Sequence, residues 1–170
     1  MSATPESRRH ATLVVKVGDQ KEEIDEMIAP LIRELWIAGI STAMSCQEEY
    51  RETAWIEFHF IDELERFLNI VAEYDAGGHS LYARIAGHGC SHAVVKSWSY
   101  VLTPLDIGDN IGDDAIEKRR VKFEFTANVY IPHQDIPILV ERLATYNRRQ
   151  QAKVASKTAE FAVPESAGAM

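Results

Sequence analysis

The chain has 170 residues, of which 46% are hydrophobic and 26% charged; that is enough for one domain with its own core and excludes disorder of the whole chain. A net charge of -8 and a pI near 5.2 repel phosphate backbones, so nucleic acid is not an expected partner. No apolar run approaches the roughly 20 residues of a membrane span. Residues 1–10 are polar and read as a loose N-terminus rather than a signal peptide. The two cysteines, Cys46 and Cys90, are therefore expected as reduced thiols in the cytoplasm.

A single domain is expected over residues 11–149, followed by a flexible tail over 150–170, where Ser, Ala, Lys, Glu and Pro dominate. Residues 11–17 are β-branched and bounded by Gly18, which predicts a strand. Asp19 and Glu22 fit a capping box, and Ile24, Met27, Ile28, Leu31, Leu35 and Ala38 recur at helical spacing up to Gly39. Pro30 interrupts that pattern, so it either kinks the helix or restarts it as a first-turn proline. A short strand over 40–46, a polar turn over 47–53 and an alternating strand over 54–60 follow. In the last of these Ala54, Ile56, Phe58 and Phe60 form the core face, while Trp55, Glu57 and His59 point the other way. Asp62 and Glu65 fit a second capping box, before a helix with Leu64, Phe67, Leu68 and Val71 on one face.

Residues 81–85 read as a short strand, and 94–105 and 121–131 as two long strands joined by a polar tip. Asp135 then caps a helix with Ile136, Leu139, Val140 and Leu143 inward. The order β-α-β-β-α-β, then β-α, predicts an α+β fold. Its sheet is mostly antiparallel and twisted, with about three helices on one face. The core is ferredoxin-like, a split β-α-β unit, extended by a long hairpin strand and a C-terminal helix.

Ser45-Cys46-Gln47 is the first candidate site, placing a thiol and an amide at a strand end. Cys46 could act as a nucleophile with His59, His88 or His92 as base, but Glu48, Glu49 and Glu52 would raise rather than lower its pKa. A small buried hydrophobe is the stronger reading. His88, Cys90 and His92 are metal-capable side chains at alternate positions, and Cys46 or His79 could complete a zinc site. The spacing, however, matches no standard zinc signature. The acidic stretch from Asp106 to Asp114 fails the EF-hand register and reads as a solvated tip. The row Trp55, Glu57 and His59 could form a binding surface, and with Trp98 and Tyr100 it offers aromatic area for self-association. No GxGxxG, GxxxxGK[ST], GxSxG or HExxH occurs, which argues against the common nucleotide-binding, serine hydrolase and zincin chemistries.

Gly39-Ile40, Thr42, Ser45-Cys46-Gln47, Trp55 and Phe58 resemble a pattern in small uncharacterised bacterial and phage-type proteins: a helix, Gly-Ile-x-Thr, Ser-Cys-Gln and an aromatic strand. That resemblance implies no activity and assigns no catalytic residue. The expected function is a non-enzymatic binding or interaction module, a homodimer that engages a protein or small molecule through Ser45, Cys46, Gln47, Trp55, Glu57 and His59. The competing expectation is a cysteine- or zinc-dependent enzyme centred on Cys46 and the turn of His88, Cys90 and His92.

Overall fold

Gly18 and Asp19 turn the chain back on itself. In the computed structural model, which describes residues 10–50, 52–72, 81–85, 97–104 and 125–161, β1 (Thr12–Val17) pairs antiparallel with β2 (Gln20–Asp25). Gly18 takes a φ of +59°, a left-handed value that a side chain would resist, at the first position of the two-residue turn. The helix expected from Asp19 onward therefore starts later. Gln20 to Asp25 is a charged strand held by its ladder to β1, with Ile24 opposite Leu13. The first β-α-β unit expected from the sequence is absent, because β1 belongs to this separate hairpin.

Helix α1 (Ala29–Ile37) has Pro30 in its first turn, so the proline restarts the pattern rather than kinking it. Ile28, Leu31, Ile32 and Leu35 are fully buried, and Gly39 closes the helix at φ +70°. Arg66 then donates to the carbonyls of Ala38 and Gly39, at 3.1 Å each.

The main sheet has four antiparallel strands in the order β3-β4-β6-β5: β3 (Met44–Tyr50), β4 (Thr53–Phe58), β5 (Ser99–Pro104) and β6 (Phe125–Pro132). β6 lies between β4 and β5, and helix α2 (Ile61–Val71) falls between those two strands in sequence. β4 and β5 thus run parallel to one another on either side of β6, with the β3–β4 hairpin leading into them. The α+β class and the antiparallel sheet agree with expectation. β4 alternates as its sequence predicts, with Ala54, Ile56 and Phe58 buried; Phe60 is exposed instead and flanks the start of α2. Asp62 sits in the first turn of α2, which has no side-chain cap.

Residues 81–85 form a short helix, α3 (Leu81–Ile85), not a strand. The last helix, α4 (Ile136–Phe161), continues well past Arg149, so residues 150–161 are helical rather than part of a tail. One core joins the inner face of the sheet to α1, α2 and α4. Phe67 stacks on Phe58 at 5.6 Å and on Trp98 at 6.0 Å.

Trp98 is therefore a core residue, only 5% exposed, and is not the outward aromatic expected. Its indole N–H donates to Asp135 Oδ2 at 2.8 Å, and Arg84 donates to both carboxylate oxygens of Asp135, at 2.5 and 3.1 Å. Asp135 lies in a 3-10 turn (His133–Asp135) before α4, where the sequence pattern reads it as a helix cap. Its carboxylate instead joins α3, the start of β5 and the entry to α4.

Candidate functional site

The site begins with a register shift. Met44, Ser45 and Cys46 face Glu57, Ile56 and Trp55 in order, but Tyr50 faces Thr53, so β3 holds extra residues between Cys46 and Tyr50. A bulge of this kind removes backbone groups from the ladder and re-aims side chains. Gln47 is where it begins. Its N–H donates to Asp25 Oδ2 at 2.8 Å, and its carbonyl meets His133 Nε2 in a short contact.

The side chain of Gln47 extends the junction. Its Oε1 accepts the N–H of Met27 at 2.9 Å, which orients the amide, so its Nε2 donates to His10 Nδ1 at 2.8 Å. His10 therefore presents a lone pair at Nδ1 rather than a proton. One residue thus ties together the chain before β1, the end of β2, the start of α1 and the turn before α4. The polar turn expected over 47–53 is reduced to the tip around Glu52, whose φ is +60°.

Cys46 sits beside this junction. It is half-buried and in no disulfide. One ligand atom each from His10, Asp25 and Cys46 lies within 4.8 Å of the others, and all three residues are half-buried. A nitrogen, an oxygen and a sulfur ligand so placed can hold a transition-metal ion. The sequence pattern marks Cys46 and Gln47 as a pair, but it leaves His10 in a loose terminus and Asp25 in a helix. Only the β1–β2 hairpin brings those two residues to the thiol.

The other expected site residues disperse. Ser45 pairs with Ile56, on the face opposite to that of Cys46 and Trp55. Trp55 and Glu57 lie on the outer face, where Trp55 Nε1 donates to Asn128 Oδ1 at 2.9 Å and Asn128 Nδ2 donates to Thr103 Oγ1 at 3.2 Å. His59 is exposed beyond the end of β4 and borders a shallow groove of about 410 Å³ with Glu22, Trp36 and Met44. His88, Cys90, His92, His79 and the stretch from Asp106 to Asp114 lie outside the described residues, so the alternative of a zinc-binding turn there has no structural counterpart to compare.

A larger groove of about 730 Å³ runs between α2 and α4, lined in part by Arg66, Arg142, Arg149 and Glu141. Arg66 serves the end of α1 as described above, and Arg142 donates to the carbonyl of Val71 at the end of α2, 2.5 Å away. Two of its cations thus satisfy orphan helix carbonyls.

No family model matches the chain, and no solved structure matches it. An uncharacterised protein of Acanthamoeba polyphaga mimivirus is 32% identical over 89 residues, covering 51% of this chain. The match spans 45% of that viral protein, less than half of its length. No helix among the described residues is long and apolar enough to cross a membrane.

Proposed function

We propose that the chain is a non-enzymatic binding protein whose ligand corner is the β3 bulge. The observation that carries this reading is the convergence of His10, Asp25 and Cys46 on one another beside Gln47. These are electron-pair donors, and a carboxylate this close to sulfur works against a bare thiolate nucleophile while favouring a positively charged occupant. The flanking residues Glu26 and Glu48 have the same sign. His10 is held by an amide that donates to it, whereas the base of a thiol pair is oriented by a group that accepts from it. A site built on a reduced thiol suits a reducing compartment such as the cytoplasm, where we propose the protein works.

Alkylation by iodoacetamide at pH 7 tests this reading. Cys46 is expected to react no faster than a free thiol such as glutathione, measured in a Cys90→Ser background. Alkylation about ten-fold faster than glutathione would show an activated nucleophile and overturn the non-enzymatic reading.

A second reading, self-association as a homodimer, rests on the outer sheet face. Met44 is 61% and Val101 47% exposed there, on the side away from Ile56 and Val129. With Trp98 in the core, Trp55 and Tyr130 provide the aromatic area. Light scattering during gel filtration should give a dimer that Val101→Lys converts to monomer. A monomeric parent protein would dispose of this second reading.

A further inference from the structure

We infer that His10, Asp25 and Cys46 form a zinc site, with the fourth coordination position left to water or ligand. The inference rests on the binding reading of the same corner and names its occupant. The donor set decides the class of ion. Thiolate and imidazole select a thiophilic transition metal over calcium or magnesium, and one carboxylate completes a set that zinc accepts. Thiolate and carboxylate together carry two negative charges, which zinc neutralises.

Geometry supports the assignment. Ligand atoms around a tetrahedral zinc, bonded at roughly 2.0–2.3 Å, stand about 3.3–3.7 Å apart. The three atoms here are already within 4.8 Å, so each pair would have to close by no more than about 1.5 Å. The three residues come from different segments: His10 precedes β1, Asp25 ends β2 and Cys46 lies in β3. Such a site would clamp the outlying hairpin to the main sheet.

The tautomer is also set. Because the N–H of Met27 fixes the amide of Gln47, Nδ1 of His10 is the unprotonated nitrogen, and an incoming cation would exchange with the amide there. The backbone N–H of Gln47 would stay on Asp25 as a supporting contact to a coordinating carboxylate. Binding would expel the thiol proton to solvent, so uptake should weaken as pH falls.

The test is titration of the reduced, metal-stripped full chain with Zn²⁺ against a chromophoric chelator, with Co²⁺ followed in parallel by absorption. The expected result is one zinc per chain and a sulfur-to-cobalt charge-transfer band in the near ultraviolet. Cys46→Ser should abolish the band and Cys90→Ser should preserve it. His10→Ala and Asp25→Asn should each weaken zinc binding by about ten-fold or more, at least the loss that removal of a supporting contact produces. His10 precedes β1 and is not a core residue, so His10→Ala keeps the test decisive even if the other variants fail to fold.

Absence of saturable zinc binding would overturn the inference. A band that survives Cys46→Ser, or one that disappears in Cys90→Ser, would do the same. Slow alkylation of Cys46 without zinc uptake would defeat the zinc assignment alone, whereas fast alkylation would defeat the binding reading beneath it.

Discussion

Two aspartates divide the molecule. Asp135 is 0% exposed and receives N–H donors from Trp98 and from Nε and Nη2 of Arg84, so its charge is paired and its oxygens are occupied. Asp25 is half-buried, accepts the backbone N–H of Gln47, and faces a thiol and an imidazole. The first arrangement is complete within the chain, and a ligand could only disturb it. The second sets one ligand atom each of a carboxylate, an imidazole and a thiol within 4.8 Å of one another, the set in which we propose a cation. A carboxylate whose oxygens are filled by buried donors is costly to remove from one side, while one set among other ligand atoms is the one we propose for binding.

The comparison predicts unequal stability effects. Asp135→Ala would remove the carboxylate that pairs with the Arg84 guanidinium and accepts the Trp98 indole N–H in a buried setting. Breaking a buried pair from one side costs about 3–5 kcal/mol, so this variant should show the largest loss in urea unfolding. Asp25→Asn removes a half-buried negative charge but keeps an amide oxygen that can accept the Gln47 N–H, and should cost less than about 1.5 kcal/mol. Equal losses would break the division between a structural and a binding aspartate.

Between these extremes lies Asn147. Its Nδ2 donates to the backbone carbonyl of Glu34 at 3.0 Å and to Glu34 Oε2 at 2.9 Å, tying α4 to α1 in a buried contact. Glu34 also pairs with Arg33 at 2.6 Å. Asn147→Ala should cost about 1–3 kcal/mol, since Glu34 keeps one partner. Unfolding Gly39→Ala under the same conditions should show a loss of about 1–2 kcal/mol, because an added Cβ meets only Arg66 Nη2 at 3.9 Å and the strain is in the positive φ.

The stable side of this division was more legible than the binding side. The alternation at Ala54, Ile56 and Phe58 and the helical face of Leu64, Phe67 and Val71 are periodic signals, and burial of those residues follows directly. Pro30 marked a helix start as one of two readings. The proposed binding corner depends on features without period. Gln20 to Asp25 is too charged to read as a strand alone, and its partner β1 supplies the ladder. The bulge after Cys46 is a register mismatch between two strands, visible only once both are paired. His10 had no signal at all, because its role comes from Gln47, thirty-seven positions away in sequence. Trp98 and Asp135 each had a plausible local reading, an exposed aromatic and a cap, and tertiary pairing overrode both: Trp98 stacks on Phe67 and donates to Asp135, which pairs with Arg84.

The smallest effect sharpens the boundary of the stable side. Tyr100 donates its hydroxyl to the carbonyl of Ile85 at 3.0 Å, one residue beyond Arg84, and burial pushes its pKa from 10.0 up to about 12. Burial favours the neutral phenol, so the folded chain holds that proton more tightly than the unfolded chain does. The resulting stabilisation is fully present below pH 10 and is lost as pH rises toward 12. Other groups also titrate in that window, so the parent curve alone is uninformative. Its difference from Tyr100→Phe isolates the phenol: the variant should lose stability less steeply from pH 10 to 12. Parallel curves would mean that the hydroxyl is solvated in the folded chain and that the stable region ends at Arg84.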